Sequence, residues 1–154
     1  MWNTLSEVDI PDILHFVEAA AKDGQLVHIG TDSLQHSKYT SFTSVIAILK
    51  PGKGGRVAYK TTTVPRIKSL RERLLRETSI SVDIGLQLNE LIPGQLTIHL
   101  DVNPDARYRS SAHVQELVGY VVGQGFAYRI KPDSWASTSI ADWAVRHTSA
   151  GRVA

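Results

Sequence analysis

Apolar side chains recur at Ile10, Ile13, Leu14, Val17 and Ala20 or Ala21, a spacing that predicts an amphipathic helix over Ile10 to Lys22, with Gly24 as its stop. The period then changes. Leu26 to Thr31 is a short, nearly continuous apolar run and Phe42 to Leu49 is rich in β-branched residues, so both read as strands. Pro51-Gly52-Lys53-Gly54-Gly55 is a turn signal, and the alternation from Arg56 to Val64 predicts a third strand antiparallel to the second across it. Pro65 stands where a helix can begin, and no proline interrupts Arg66 to Leu91, so a long helix is expected there, with Gly85 as a place to bend. Leu96 to Asp101 reads as a fourth strand, Ser110 to Val122 as a helix, Phe126 to Ile130 as a fifth strand and Thr138 to His147 as a closing helix.

Strands joined by short turns form an antiparallel meander, and strands joined by helical crossovers lie parallel. The expected fold is therefore α/β, with a mixed five-stranded sheet made of a three-strand meander and two parallel strands, flanked by helices and carrying an extra N-terminal helix. At 154 residues, residues 1–154 suffice for one domain that buries roughly two-thirds of its unfolded surface.

Composition narrows the chemistry. With no cysteine, a disulfide framework and a thiolate metal site are both excluded. Glu7 and Asp9 stand where a secretory leader would be basic, and no window approaches the roughly 18 apolar residues of a membrane span. The expectation is a soluble, cytoplasmic protein with no membrane partner. A net charge of +2 is compatible with nucleic acid without requiring it. Arg66, Lys68, Arg71, Arg73 and Arg76 crowd one stretch, which reads either as a phosphate-facing patch or as a solvated helix face.

Two strands end in an acid: Asp32 follows Leu26-Val27-His28-Ile29-Gly30-Thr31, and Asp101 follows Leu96-Thr97-Ile98-His99-Leu100. As parallel neighbours their backbones would be about 4.8 Å apart, and the two carboxylates would repel unless a cation lay between them. The plainer reading of either acid alone is a turn or cap residue. Glu77 is more informative. At about 100° per residue, with Leu70 as zero, Leu74, Ile84 and Leu88 fall within about 40°, and Glu77 and Ser81 within about 20°. Glu77 should thus face the sheet, and Asp83 should face solvent. A carboxylate among core leucines is costly unless it is ion-paired, hydrogen-bonded or metal-bound, so a buried pair with a nearby arginine competes with a metal site. Asp142 sits on the predicted last helix, where Ser139 and Asp142 also have the spacing of a capping box. His28 and His99 lie on the same strand faces as the acids that follow them. They read first as buried, hydrogen-bonded core histidines, and no ligand motif points to zinc.

The order of these acids, one on the first strand, one on the helix after the third, one ending the fourth and one on a final helix, resembles the ribonuclease-H-like arrangement. More narrowly, His28-Ile29-Gly30-Thr31-Asp32-Ser33, His99-Leu100-Asp101-Val102-Asn103-Pro104 and Lys131-Pro132-Asp133-Ser134-Trp135-Ala136-Ser137 are similar to motifs of the bacterial ribonuclease-H-like YkuK family. The last motif is the most specific, being long and containing a tryptophan. The resemblance covers nearly the whole chain and implies the ribonuclease-H-like fold with a metal-dependent nuclease site.

The expected activity is phosphodiester hydrolysis in RNA, DNA or a hybrid, using Mg²⁺ or Mn²⁺ in a two-metal site with the ions roughly 3.5–4 Å apart. Asp32 would bridge the ions, Glu77 and Asp101 would hold one, and Asp142 the other. Arg71, Arg73, Arg76, Asn103 and Lys131 are the candidates for positioning the phosphate chain. Two alternatives stand beside this one: a nucleic-acid-binding protein that keeps the fold with little or no turnover, and hydrolysis of a small phosphorylated substrate.

Overall fold

The computed structural model describes residues 1–50, 54–141 and 144. Its strands are β1 (Trp2–Thr4), β2 (Asp9–Ile10), β3 (Val27–Gln35), β4 (Tyr39–Leu49), β5 (Gly55–Pro65), β6 (Leu96–His99) and β7 (Ala127–Arg129). The helices are α1 (Ile13–Ala20), α2 (Leu70–Asn89) and α3 (Val114–Gly123), with short 3₁₀ turns before β3 and α3. All seven strands join one sheet in the order β2-β1-β5-β4-β3-β6-β7.

The fold is α/β with a mixed sheet, as the pattern predicts, but among the described residues the sheet has seven strands where five are expected. The extra pair comes from the N-terminus: β1 and β2 form a hairpin that adds antiparallel to the edge of β5. Ile10 therefore belongs to a strand, and α1 starts later, at Ile13. The Asp12 carboxylate caps it by accepting from the His15 amide at 3.0 Å. Similarly, Pro65 ends β5 opposite Tyr39, and α2 begins only at Leu70, capped by the Ser69 hydroxyl on the Glu72 amide. The meander β3-β4-β5 is antiparallel, β6 adds parallel to β3 and β7 parallel to β6, each reached through a helix.

Alternation sorts β3 between two faces. Val27 and Ile29 meet Ile46, Ile98, Leu74 and Val82 beneath α2 and α3 in the main core. Burying each such branched side chain contributes about 1.5–3 kcal/mol. Gly30 lies on the opposite face, under the turn Ala136–Ile140, a π-type start to the closing helix. A Cβ on Gly30 would lie 2.5 Å from Ser137 N and 2.7 Å from Ala136 C, so only glycine lets this segment approach. A smaller core of Val45, Tyr59, Ala136, Ala141 and Ala144 seals that side. Among the described residues, no helix is long and apolar enough to cross a membrane.

Candidate metal centre

β3 and β6 run parallel in the register His28↔Thr97 and Gly30↔His99, so Asp32 and Asp101 emerge together just past the C-terminal end of β6. Glu77 reaches them from α2. Its position on the helix is the one that the projection requires: Leu74, Glu77, Ser81 and Leu88 are buried and Asp83 is exposed. Carboxylate oxygens of Asp32, Glu77 and Asp101 lie within 4.8 Å of one another. Asp142 lies outside the described residues.

A ladder of hydroxyls sets the pose of Glu77. The Ser33 hydroxyl donates to Glu77 Oε1 at 2.6 Å, and one turn along α2 the Ser81 hydroxyl meets Thr31 Oγ1 at 2.8 Å. Thr31 also meets Ser44 on β4 at 2.9 Å. No arginine pairs with Glu77 among the described residues. Burial drives its pKa well above the ordinary carboxylate range; the charge of Asp32, and more weakly that of Asp101, adds to the rise, and the Ser33 hydrogen bond opposes it. The Ser33 amide donates to Asp32 Oδ1 at 2.8 Å. Asp101 Oδ1 is removed from solvent and makes no directed hydrogen bond, but the Lys131 ammonium sits 2.8 Å away. Lys131 thus offsets part of the charge of the three clustered carboxylates.

Such a donor set, all oxygen and mostly carboxylate, suits a hard divalent cation such as Mg²⁺ or Mn²⁺. The buried Glu77 fits this use, because a carboxylate that burial and like charge penalise gains most from a cation.

His28 and His99 are buried side by side. They hydrogen-bond to each other, His28 Nδ1 to His99 Nε2 at 3.0 Å, and the Ala136 amide donates to His99 Nδ1 at 3.1 Å. His99 therefore carries its hydrogen on Nε2 and donates it to His28, which is neutral with its own hydrogen on Nε2. Burial above all lowers their pKa values, to about 4 for His28, helped by Arg129, and to about 3 for His99, helped by His28 and Arg129. The Trp135 ring lies 4.6 Å from that of His28 and 4.8 Å from that of His99. These contacts give Trp135-Ala136-Ser137 its role: the segment packs against β3 and β6 through His28, Gly30 and His99.

A cleft of about 350 Å³ opens over the carboxylates, lined among others by Asp32, Glu77, Asp101, Arg73, Arg109 and Lys131. The cations expected at phosphate divide. Lys131 and Arg73 line it, although Arg73 also donates to the carbonyls of Ile67 and Lys68. Arg71 is paired with Glu116 at 3.0 Å, and Arg76 lines a separate cavity with Glu72 and Leu75. Asn103 Oδ1 accepts from the Asp105 amide and shapes a turn. Sequence reasoning missed Tyr108 and Arg109, which also line the cleft. Their signal was the run Arg107-Tyr108-Arg109, an aromatic residue between cations.

The geometry agrees with the comparisons. Residues 9–148 match the family described as ribonuclease H-like. The uncharacterized protein YkuK of Bacillus subtilis (strain 168) is 30% identical, over 82% of this chain and 83% of that protein. No solved structure matches the chain. With Asp32 on β3 beside Asp101 just past β6, Glu77 reaching both from α2, and a family match spanning almost the whole sequence, this chain belongs to the ribonuclease-H-like family.

Proposed function

We propose that the protein is a divalent-metal-dependent nuclease that hydrolyses phosphodiester bonds in nucleic acid. The observation that carries this reading is the convergence of Asp32 on β3, Glu77 on α2 and Asp101 just past β6 in a cleft that Arg73, Arg109 and Lys131 also line. Asp32, Glu77 and Asp101 would hold Mg²⁺ or Mn²⁺, with Asp142 as a fourth ligand. When bound, the metal supplies an activated water and charge neutralisation at the phosphate. The residues around it do the rest. Ser33 fixes the Glu77 carboxylate, and the cleft cations hold the phosphate chain against the acids. The Trp135 segment keeps solvent from the opposite side of β3 and β6.

One observation favours the alternative, a nucleic-acid-binding protein without turnover: Lys131 already pairs with Asp101. A panel of labelled hybrid, duplex, single-stranded and branched substrates, assayed with Mg²⁺ and with Mn²⁺, separates the two. Cleavage that requires metal and is lost in Asp32→Asn supports the nuclease. Binding without cleavage supports the alternative, and cleavage undiminished in Asp32→Asn refutes the site.

A further inference from the structure

We propose that the cleft takes an unpaired nucleotide, with Tyr108 stacking on its base and Arg109 holding its phosphate, so that single-stranded nucleic acid is the substrate class. This inference rests on the nuclease reading of the same cleft.

The first observation is what lines the cleft along with the acids. Tyr108 lines the cleft with 52% of its surface exposed, although a tyrosine ring left half in water forgoes the burial that such a side chain usually finds. Arg109, its neighbour, lines the same cleft and has no ion-pair partner among the described residues. The nearby Arg107 differs, being paired with Asp105 at 2.6 Å, as does Arg71 with Glu116. A free ring and a free guanidinium side by side match the two parts of a nucleotide, a flat base and a charged phosphate.

The second observation is that the wall is braced. The Asp105 amide donates to Asn103 Oδ1 at 2.9 Å, and the Asn103 amide donates to Ser110 Oγ at 3.0 Å. The Tyr108 amide donates to the Asp105 carbonyl at 3.0 Å, and the Ser111 amide to the Tyr108 carbonyl at 3.1 Å. Tyr108 is therefore presented by a turn already folded, and little ordering remains to be done on binding.

Chemistry then discriminates between substrates. About 350 Å³ is near the lower end of the roughly 300–1,000 Å³ that ligand clefts span, room for about one nucleotide. Inside a duplex both faces of each base are covered by its neighbours, so a ring placed to stack has no partner there. An unpaired base offers its face whatever its identity, which predicts weak sequence preference.

The test measures binding of fluorescein-labelled 12-nucleotide single strands, and of the blunt duplex of the same sequence, by anisotropy, with Ca²⁺ in place of Mg²⁺ to hold the carboxylates without turnover. A second reporter is a strand carrying 2-aminopurine, whose fluorescence falls when it stacks. Single strands are expected to bind at least tenfold more tightly than the duplex. Tyr108→Ala should weaken single-strand binding about tenfold or more and abolish the quenching, Tyr108→Phe should restore both, and duplex binding should not change. Single-strand binding unaltered in Tyr108→Ala, or a duplex bound more tightly than the single strand, overturns this proposal and leaves the nuclease reading standing. If no polynucleotide binds while Mn²⁺ does, both readings fall and only the metal site survives.

Discussion

Removing the Lys131 ammonium by Lys131→Gln should weaken the metal-free protein and tighten its metal. The ammonium lies 2.8 Å from Asp101 Oδ1, with the two side chains 38% and 21% exposed. Exposed pairs contribute about 0–1 kcal/mol, and breaking a buried pair costs about 3–5 kcal/mol, so a pair at this depth stabilises by about 1–2 kcal/mol after solvent screening. For a chain of this size that corresponds to a fall of roughly 2–8 °C in Tm without metal. A divalent ion taking up Asp101 must first displace Lys131. Without that competition the ion should bind about 5- to 30-fold more tightly in Lys131→Gln, since each 1.4 kcal/mol is a factor of ten. Calorimetric titration with Mn²⁺ and thermal melts with and without it read both effects. The Tm deficit of the variant should shrink or reverse in saturating Mn²⁺. An equal deficit in both buffers, with unchanged Mn²⁺ affinity, would refute the reasoning and make the ion pair purely structural.

Other outcomes follow from the same geometry. Because folding raises the Glu77 pKa, the stability tied to its proton is fully present below the ordinary carboxylate range and is lost as pH rises through the folded value. In chelator, Glu77→Gln should therefore remove a loss of up to about 1.4 kcal/mol per pH unit in that window and raise stability at neutral pH, while abolishing the gain from Mn²⁺; urea melts across pH would show an unchanged profile if the reasoning is wrong. Gly30→Ala pushes a methyl group into the backbone of Ala136 and Ser137 and should cost about 1–3 kcal/mol in urea unfolding, with loosened packing of Trp135 seen as a shift in its fluorescence. Arg109→Ala should weaken polynucleotide binding and lower the salt slope by about one, whereas Arg76→Ala, outside the cleft, should do neither; equal effects would place the phosphate path elsewhere.

Local pattern alone carried much of this protein. The period-two stretches of the meander and the inward aim of Glu77 follow from backbone periodicity, because the side-chain period is a property of the chain itself. The first strand does not end before Asp32 as its apolar run suggests: β3 carries Asp32 within it and runs on to Gln35, because it stays paired with β4 over that length. The His28 and His99 reading also followed from sequence, since apolar strands of this kind leave a histidine no place but the core. The N-terminal hairpin was not legible: strands of three and two residues are too short to show a period, and only the open edge of β5 gives them partners. The start of α2 moved from Arg66 to Leu70 because pairing with Tyr39 holds Pro65 in β5. Within the cleft, the tertiary structure decided which charges act together. Arg71 and Arg76 lie in the same basic run as Arg73, yet Glu116 on α3 claims one and the turn of the helix carries the other away. Lys131 meets Asp101, thirty positions earlier in the chain, only because the segment after β7 folds back beside the end of β6. Sequence spacing sets which face of an element a side chain occupies; the partners it finds there depend on elements distant in sequence, and no local rule encodes them.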